Sequence, residues 1–298
     1  MNLQFITVWL LAYLTTSKLI GVQFDVEPHT LPQWPADATK PQSKLSADMV
    51  QYLGGRLVNL YQNISKIIGN RLEIHGVIPF SYQMINITMN GKVDLLSNWV
   101  QLNSHKLLIM AYRSNADAIR SLALPTINYA TKINKKVLVA VEVKNILPTL
   151  ISFHIHSNQY LADQLKLLHS YLVKYPGYQG QCIHDYNAMI LRPNVTDVEY
   201  AYGDIRSIIV WDPNDWLVAA QRKILLDFIA KSNINLIYLG VGNYINARRV
   251  WATLRTFVYI THAMNVNVIF LYGAATWVIE PTVALNTANN TLNFWRTL

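Results

Sequence analysis

The feature that most constrains this chain is an eightfold alternation of short β-prone runs with longer, helix-length segments. The runs are "LIGVQFDVEP", "RLEIHGVIPFSY", "KLLIMAYR", "KKVLVAVEV", "GQCIHDY", "RSIIVWDP", "NLIYLGVG" and "VNVIFLYG", in that order. Most of them are continuous apolar stretches, which is typical of parallel strands that helices cover on both faces of a sheet. The pattern therefore predicts eight βα units.

The segments between the runs predict helices. We expect these over residues 48–69, 92–102, 115–134, 158–174, 216–231 and 247–264, with a short helix after "GQCIHDY" and a helical tail ending at residue 298. Eight βα units in about this length are what a TIM barrel requires. An open doubly wound sheet is the alternative, but its usual Gly-rich phosphate loop is missing from the sequence. We predict a single α/β TIM-barrel domain over residues 1–298.

Composition limits the partners that we expect. The net charge is +8, from 25 Lys and Arg against 17 Asp and Glu, but the basic residues are scattered along the chain. Such scatter favours a solvated, mildly basic surface, so we expect no nucleic-acid partner. Cys182 is the single cysteine, which rules out an internal disulfide and a cysteine metal cluster. We also expect no cofactor.

The first 17 residues have two interpretations. Their apolar centre has the length of a signal peptide, although a basic start and a clear cleavage site are missing. They also fit a helix in which Phe5, Trp9, Ala12 and Tyr13 share one face. The first interpretation predicts a secreted protein and the second an intracellular one. No other segment is long and apolar enough to predict a membrane span.

Unusual polar and aromatic residues follow six of the predicted strands. They are Asp25 and Glu27, Tyr112 and Arg113, Glu142, His184 with Asp185 and Tyr186, Trp211 and Asp212, and Trp277. In a TIM barrel the carboxyl ends of the strands carry the active site, so we interpret this set as a functional rim. Single members have structural alternatives. Asp212 can cap the next helix, His184 can be a satisfied half-buried imidazole, and Trp277 can be a packing residue.

Asp25 and Glu27 carry the chemical hypothesis. Side chains alternate along a strand, so both carboxylates point to the same side, into the mouth of the predicted barrel. Two carboxylates this close repel each other, which raises the pKa of one and allows it to act as a general acid. Nearby aromatic rings suit the apolar faces of a sugar. The combination indicates glycoside chemistry.

At these residues the chain resembles the chitinase-like, family-18 glycosidases, which are TIM barrels with a D-x-x-D-x-D-x-E strand. Asp25 and Glu27 match the last two acids of that motif, whereas Ile20 and Gln23 stand where the first two would be. The resemblance implies that Glu27 is the general acid and that Asp25 orients the substrate's acetamido group. "MAYR" resembles the M-x-Y-D strand of that family, with Arg113 in place of the final Asp.

The chain resembles more closely a set of uncharacterised barrel proteins related to glycoside hydrolases. Those proteins show "DVEP", "M-x-YR", "G-V-E" and "IHxY" strands in the order seen here, but their "WDP" strand is the first and their "DVEP" strand the fourth. The resemblance implies a circular permutation with strand order 4-5-6-7-8-1-2-3, in which residues 192–204 join the old ends and residues 2–17 form the third helix. A slice from a tandem array is the alternative.

The leading hypothesis is a glycoside hydrolase-like enzyme acting on a carbohydrate or other small-molecule substrate. Glu27 would be the general acid and Asp25 its partner, with Tyr112 and Arg113 binding substrate and Arg113 able to hold a carboxylate or sulfate. The remaining candidates form a polar wall and stacking platforms; they are Glu142, His184, Asp185, Tyr186, Asp212, Trp211, Trp277 and Trp34. A non-catalytic carbohydrate-binding barrel is the second hypothesis. Metal-assisted hydrolysis, with His184, Asp185, Asp25 and Glu142 around a divalent ion, is the third.

Overall fold

The computed structural model describes residues 19–35, 43–195 and 200–298, and of Leu45 only the backbone. The expectations for residues 1–17, and for part of the segment 192–204, lie outside this range. Ten strands are described: β1 Gly21–Phe24, β2 Glu73–Pro79, β3 Asn86–Met89, β4 Lys92–Leu95, β5 Lys106–Met110, β6 Lys136–Glu142, β7 Tyr178–His184, β8 Ile205–Val210, β9 Leu236–Gly240 and β10 Asn267–Tyr272. All eight runs of the sequence form strands.

Eight of these strands close into a parallel barrel with the order β1-β10-β9-β8-β7-β6-β5-β2. Helices lie between the strands: α1 Lys44–Ile68, α2 Leu96–Leu102, α3 Ala116–Lys132, α4 Asn158–Leu172, α5 Tyr186–Ile190, α6 Asn214–Leu217, α7 Ala219–Lys231, α8 Trp251–Ala263 and α9 Pro281–Trp295. The predicted α/β TIM barrel is therefore confirmed.

The alternation of strand side chains divides the core in two. Along β1 and just beyond it, Val22, Phe24 and Val26 belong to the large outer core between strands and helices. The alternate residues Gln23 and Asp25 therefore face the barrel axis. A smaller core fills the axis; its buried members are Val77, Leu108, Leu138, Ala140, Cys182, Ile209, Leu236, Tyr238, Ile269 and Leu271. The interior of the barrel is thus packed, and polar side chains lie at its ends.

One predicted helix is shorter than expected. Residues 86–95, part of which we assigned to a helix over 92–102, form the antiparallel β3–β4 hairpin outside the barrel. Its turn is Asn90-Gly91, with φ of 52° and 76°. Asn-Gly is the dipeptide that favours a tight hairpin turn, because both residues accept positive φ. The sequence signal for this hairpin is therefore present, in the stretch "MNGK".

The last helix bears on the predicted permutation. α9 follows β10 and packs against α1, and β10 pairs with β1. The helical layer between the last and the first described strand is therefore supplied by residues 281–295. The circular permutation itself stays a prediction. None of the described helices is both long and apolar enough to cross a lipid bilayer.

Candidate active site at the barrel rim

Asp25 and Glu27 follow β1 at its carboxyl end. The amide of Asp25 donates to Tyr272 O at 2.7 Å, which extends the β1–β10 pairing by one residue. Oδ1 of Asp25 is buried and has no hydrogen-bond partner among the described residues. The side chain of Glu27 is 30% exposed, and its Oε1 lies 3.9 Å from His29 Nε2. Glu27 can therefore reach a ligand, whereas Asp25 lies deeper.

Both carboxyl groups have raised pKa values. Burial raises the pKa of Asp25 well above its ordinary value, and repulsion from Glu27 raises it further. Burial also raises the pKa of Glu27, a shift that a positive charge on His184 would oppose. The repulsion that the sequence predicts is present, but desolvation is the larger cause. The pair can hold a proton at a pH at which two surface carboxylates would both be ionised.

Tyr112 lies close to this pair. It follows β5, and its ring stacks on that of His184 with centroids 6.0 Å apart and planes at 24°. Burial raises its pKa well above the ordinary value, and the charges of Glu142 and Asp25 add to the shift. The phenol therefore keeps its proton and can donate a hydrogen bond to a substrate oxygen.

His184 is held between two partners. Trp211 Nε1 donates to His184 Nε2 at 2.9 Å, and His184 Nδ1 lies 2.7 Å from Glu142 Oε2. An indole N–H can only donate, so Nε2 carries the lone pair and Nδ1 carries the proton that bonds Glu142. The geometry therefore describes a neutral imidazole in one tautomer. This is the satisfied, half-buried histidine that the sequence left open as an alternative.

Both carboxylate oxygens of Glu142 have partners within the protein. Its Oε1 accepts from the amides of Val143 at 2.9 Å and Lys144 at 2.7 Å, and its Oε2 bonds His184. The side chain is almost fully buried. Glu142 therefore orients His184 and the start of the following loop, instead of lining the mouth as an open carboxylate.

Asp185 and Asp212 are used in local structure. Asp185 Oδ1 accepts from the amide of Ala188 at 3.1 Å and so caps α5, while its Oδ2 pairs with Lys144 Nζ at 2.6 Å. Asp212 Oδ1 accepts from the amide of Asn214 at 2.9 Å, at the start of α6. Both contacts are of the kind that strand-end acids commonly make at helix N-termini.

Tyr186 does not join the rim. Its buried ring packs edge to face against Phe228, with centroids 5.4 Å apart, in the layer between the barrel and α7. The chain enters α5 at this residue, so the side chain no longer follows the inward alternation of β7. The expectation that Tyr186 binds substrate finds no support in this position.

Arg113 is partly committed to the backbone. Nη1 donates to Tyr112 O at 2.7 Å, and the guanidinium carbon lies 5.2 Å from the centroid of the Phe80 ring. Because a guanidinium has five N–H donors, several remain for an anionic ligand group. The structure therefore leaves room for the ligand-binding role that the sequence suggested.

The two other tryptophan candidates pack at the rim. Trp277 is nearly buried and lies 6.2 Å from the Phe24 ring. Trp34 lies 6.0 Å from Tyr82, and His29 approaches the same ring edge-on at 5.8 Å. Trp277 is thus a packing residue, and half-buried Trp34 remains a candidate stacking platform.

Sequence reasoning missed Tyr82 and His29. Tyr82 is fully buried, its hydroxyl lies 3.3 Å from His29 Nδ1, and burial followed by the charge of Glu27 raises its pKa. His29 comes two residues after Glu27, in "DVEPHT", which was the available signal. Tyr82 comes from the loop after β2, and its proximity to Glu27 depends on the parallel pairing of β1 with β2.

Two glycines allow the site strands to approach their neighbours. A Cβ at Gly273, just after β10, would collide with the carbonyl oxygen of Asp25, and a Cβ at Gly240 would collide with that of Trp211. Both contacts lie at the carboxyl ends of the strands. The close packing of the rim therefore depends on the missing side chains at these positions.

Metal binding finds no geometric support in the part of the chain that the structure describes. No group of three or more His, Cys, Asp or Glu side chains there is placed to hold a metal ion. Of the four ligands suggested by the sequence, His184 and Glu142 already use their ring nitrogens and carboxylate oxygens in protein contacts.

The fold and the site together define a (β/α)8 barrel protein with a partly buried carboxyl pair at its rim. No known protein family matches the chain, and no curated protein is similar to it. The resemblance to chitinase-like glycosidases therefore stays a sequence-based prediction. Among solved structures, the chain is similar to the apo form of 3-keto-D-glucoside 4-epimerase from E. coli, with 10% identity and a TM-score of 0.34. The match covers 94% of this chain and 100% of that one.

Proposed function

We propose that this protein hydrolyses a glycosidic bond, with Glu27 as general acid. The observation that carries the proposal is the carboxyl pair itself. Asp25 and Glu27 lie two residues apart at the barrel mouth, burial raises both pKa values, and the side chain of Glu27 is 30% exposed, whereas Oδ1 of Asp25 is buried. A raised pKa is what a carboxyl group needs to donate a proton near neutral pH.

The contacts support the following roles. Glu27 donates its proton to the leaving glycosidic oxygen. A water molecule then supplies the hydroxyl group to the anomeric carbon and returns its second proton to the Glu27 carboxylate. Burial raises the pKa of Asp25, and in its protonated form Asp25 can donate a hydrogen bond to substrate. Tyr112 and Arg113 bind the sugar, and neutral His184 holds Tyr112 by stacking.

One observation favours a non-catalytic carbohydrate-binding barrel as the second candidate. Most glycosidases use two carboxyl groups that face each other across the bond. The strand-end acids Glu142 and Asp185 use both of their oxygens in contacts within the protein. Neither is therefore available as a second nucleophile or base opposite Glu27.

The test is to incubate a broad panel of oligosaccharides with the wild-type protein, Glu27→Gln and Glu280→Gln. Glu280 is an exposed acid on the β10–α9 loop, so its change is the matched control. We expect product from wild type and Glu280→Gln, and a loss in kcat of about 10²-fold or more in Glu27→Gln, because removing a general acid costs this much.

Two results would contradict the proposal. Unchanged turnover by Glu27→Gln would remove this residue from the chemistry. Sugar binding by wild type and Glu27→Gln without product from either would instead establish the binding barrel.

A further inference from the structure

A second concave site lies beside the rim, between the loop that follows β6 and the segment that contains α5. It is a cleft of about 610 Å³, and residues that line it include Lys144, His154, His156, Leu191, Arg192 and Asn194. We refer to it as the β6–β7 cleft. Asp25, Glu27, Tyr112 and Arg113 are not among its lining residues. It is therefore separate from the carboxyl pair, although it adjoins the same face of the barrel.

The wall of the β6–β7 cleft is held in place by Arg192. Its Nε donates to Asn158 Oδ1 at 2.6 Å, Nη2 donates to His156 O at 2.6 Å, and Nη1 donates to Phe153 O at 3.3 Å. Asn158 Nδ2 in turn donates to Pro193 O at 2.5 Å. These bonds tie the loop before α4 to the segment after α5. The cleft is therefore preformed, as small-ligand sites usually are.

The charged side chains that line the cleft are basic. Lys144 and Arg192 line it together with the imidazoles of His154 and His156, and no Asp or Glu lines it within the described part of the chain. Asp185 contacts one of these lining residues: its side chain is buried, and its Oδ2 pairs with Lys144 Nζ at 2.6 Å. An ammonium group has three N–H donors, so Lys144 keeps donors for an anion.

The cleft also has an apolar side. Ala188, Leu191 and Pro193 contribute to its lining, and the His156 ring stacks on Tyr160 with centroids 4.4 Å apart. A ligand that matches this lining has an apolar face and an anionic group. A sugar unit with a sulfate or carboxylate has both, because its C–H groups form an apolar ring face and its substituent carries the charge.

We propose that the β6–β7 cleft binds an acidic sugar unit of the substrate, which makes the substrate an anionic glycan. This inference rests on the proposed function and names its substrate class. Continuity with the rim supports it, since Lys144 comes two residues after Glu142, and the amide of Ala188 donates to Asp185, the neighbour of His184. A glycan bound at Glu27 therefore has a second positive site next to the mouth.

The test uses Leu191, whose side chain lines the cleft and is 84% exposed, so that charged replacements there do not disturb a core. Calorimetric titration with a sulfated disaccharide, its unsulfated parent and inorganic sulfate is carried out in the Glu27→Gln background. We expect the sulfated sugar to bind best. Leu191→Glu should weaken its binding about fivefold and Leu191→Arg should strengthen it by a similar factor, as for a partly exposed charge pair.

Val173→Glu is the matched control. Val173 follows the last residue of the 15-residue helix α4, about 22 Å from the end that lines the cleft, so this change should leave the affinity unaltered. The proposal is overturned if the Leu191 variants bind like the parent protein, if the unsulfated sugar binds equally well, or if inorganic sulfate alone matches the sulfated sugar. Binding is measured without turnover, so a failure of the hydrolase proposal does not affect these outcomes.

Discussion

At the scale of single residues, Asp25 shows how a site group can oppose stability. Its Oδ1 is buried with no hydrogen-bond partner in the described part of the chain, and burial raises its pKa well above the ordinary value. Below the unfolded-state pKa, near 4, both the folded and the unfolded protein carry the proton. As the pH rises from there towards the folded-state pKa, the unfolded chain releases its proton first. The free energy of unfolding therefore falls over this window.

We predict that Asp25→Asn stabilises the fold at pH 7 but not at pH 3.5, because the amide removes the cost of the buried carboxyl. The gain in the free energy of unfolding should be about 1.4 kcal/mol for each unit by which folding raises the pKa of Asp25. Denaturant unfolding at several pH values measures it, with exposed Asp48→Asn as the control. A gain that is equal at both pH values would contradict the pKa argument. Turnover should fall in the same variant.

At the scale of elements, the ends of the strands decide the geometry of the rim. β1 and β10 approach so closely that a Cβ at Gly273 would meet the carbonyl oxygen of Asp25. Gly91, in the β3–β4 turn, is a different case, since its φ is +76° and open space surrounds its Cβ position. Steric room is therefore the constraint at Gly273, and backbone conformation is the constraint at Gly91.

We predict that Gly273→Ala lowers both stability and turnover, because the strand carrying Asp25 must move. The loss of stability should exceed about 2 kcal/mol, as in an overpacked core. Gly91→Ala should cost only about 1 kcal/mol for its positive φ and leave turnover unchanged. Thermal unfolding and kcat of the two variants decide this. Normal turnover in a folded Gly273→Ala protein would show that the contact does not position the site.

At the scale of the whole molecule, the barrel closes where the first and the last described strands pair with each other. β1 pairs with β10 on one side and with β2 on the other, so the barrel closes through strands from opposite ends of the chain. Phe24 lies at this closure and is fully buried. The centroid of its ring is 6.1 Å from that of Tyr272 and 6.2 Å from that of Trp277. The single domain inferred from the sequence implies that all strands depend on this contact.

We predict that Phe24→Ala destabilises the whole barrel by about 3–5 kcal/mol, the usual cost of deleting a buried phenyl ring. Amide hydrogen exchange should then accelerate equally in β6 and β9, by about a hundredfold or more. Val93→Ala, at a 60% exposed side chain on β4, should change stability by less than about 0.5 kcal/mol. Acceleration confined to β1 and β2 would show that the chain unfolds in parts and would contradict a single domain.

The circular permutation is also a statement about the whole molecule, and it stays a prediction. A closed barrel has no first strand, so the same arrangement is compatible with either chain order. The order of the "DVEP", "MAYR", "IHDY" and "VWDP" runs is the basis of the inference. α9 occupies the layer between β10 and β1, where the prediction placed residues 2–17.

The sequence by itself determined the elements and the strand ends. Continuous apolar runs and helical spacing are local properties, so all eight strands and the positions of Asp25 and Glu27 could be predicted from them. The Asn90-Gly91 hairpin was equally local, and its "NG" signal lies directly before the predicted helix 92–102.

Only the tertiary structure decided which rim residues remain open to a ligand. Hydrogen bonds join His184 to Glu142 and to Trp211, across three neighbouring strands. Tyr82 reaches Glu27 from the loop after β2, and Tyr186 turns towards Phe228. These pairings join residues far apart in the chain, and their geometry follows from the register of neighbouring strands and the packing of helices. A pattern with periods of two and 3.6 residues contains no information about such contacts, which is why the carboxyl pair was predictable and its surroundings were not.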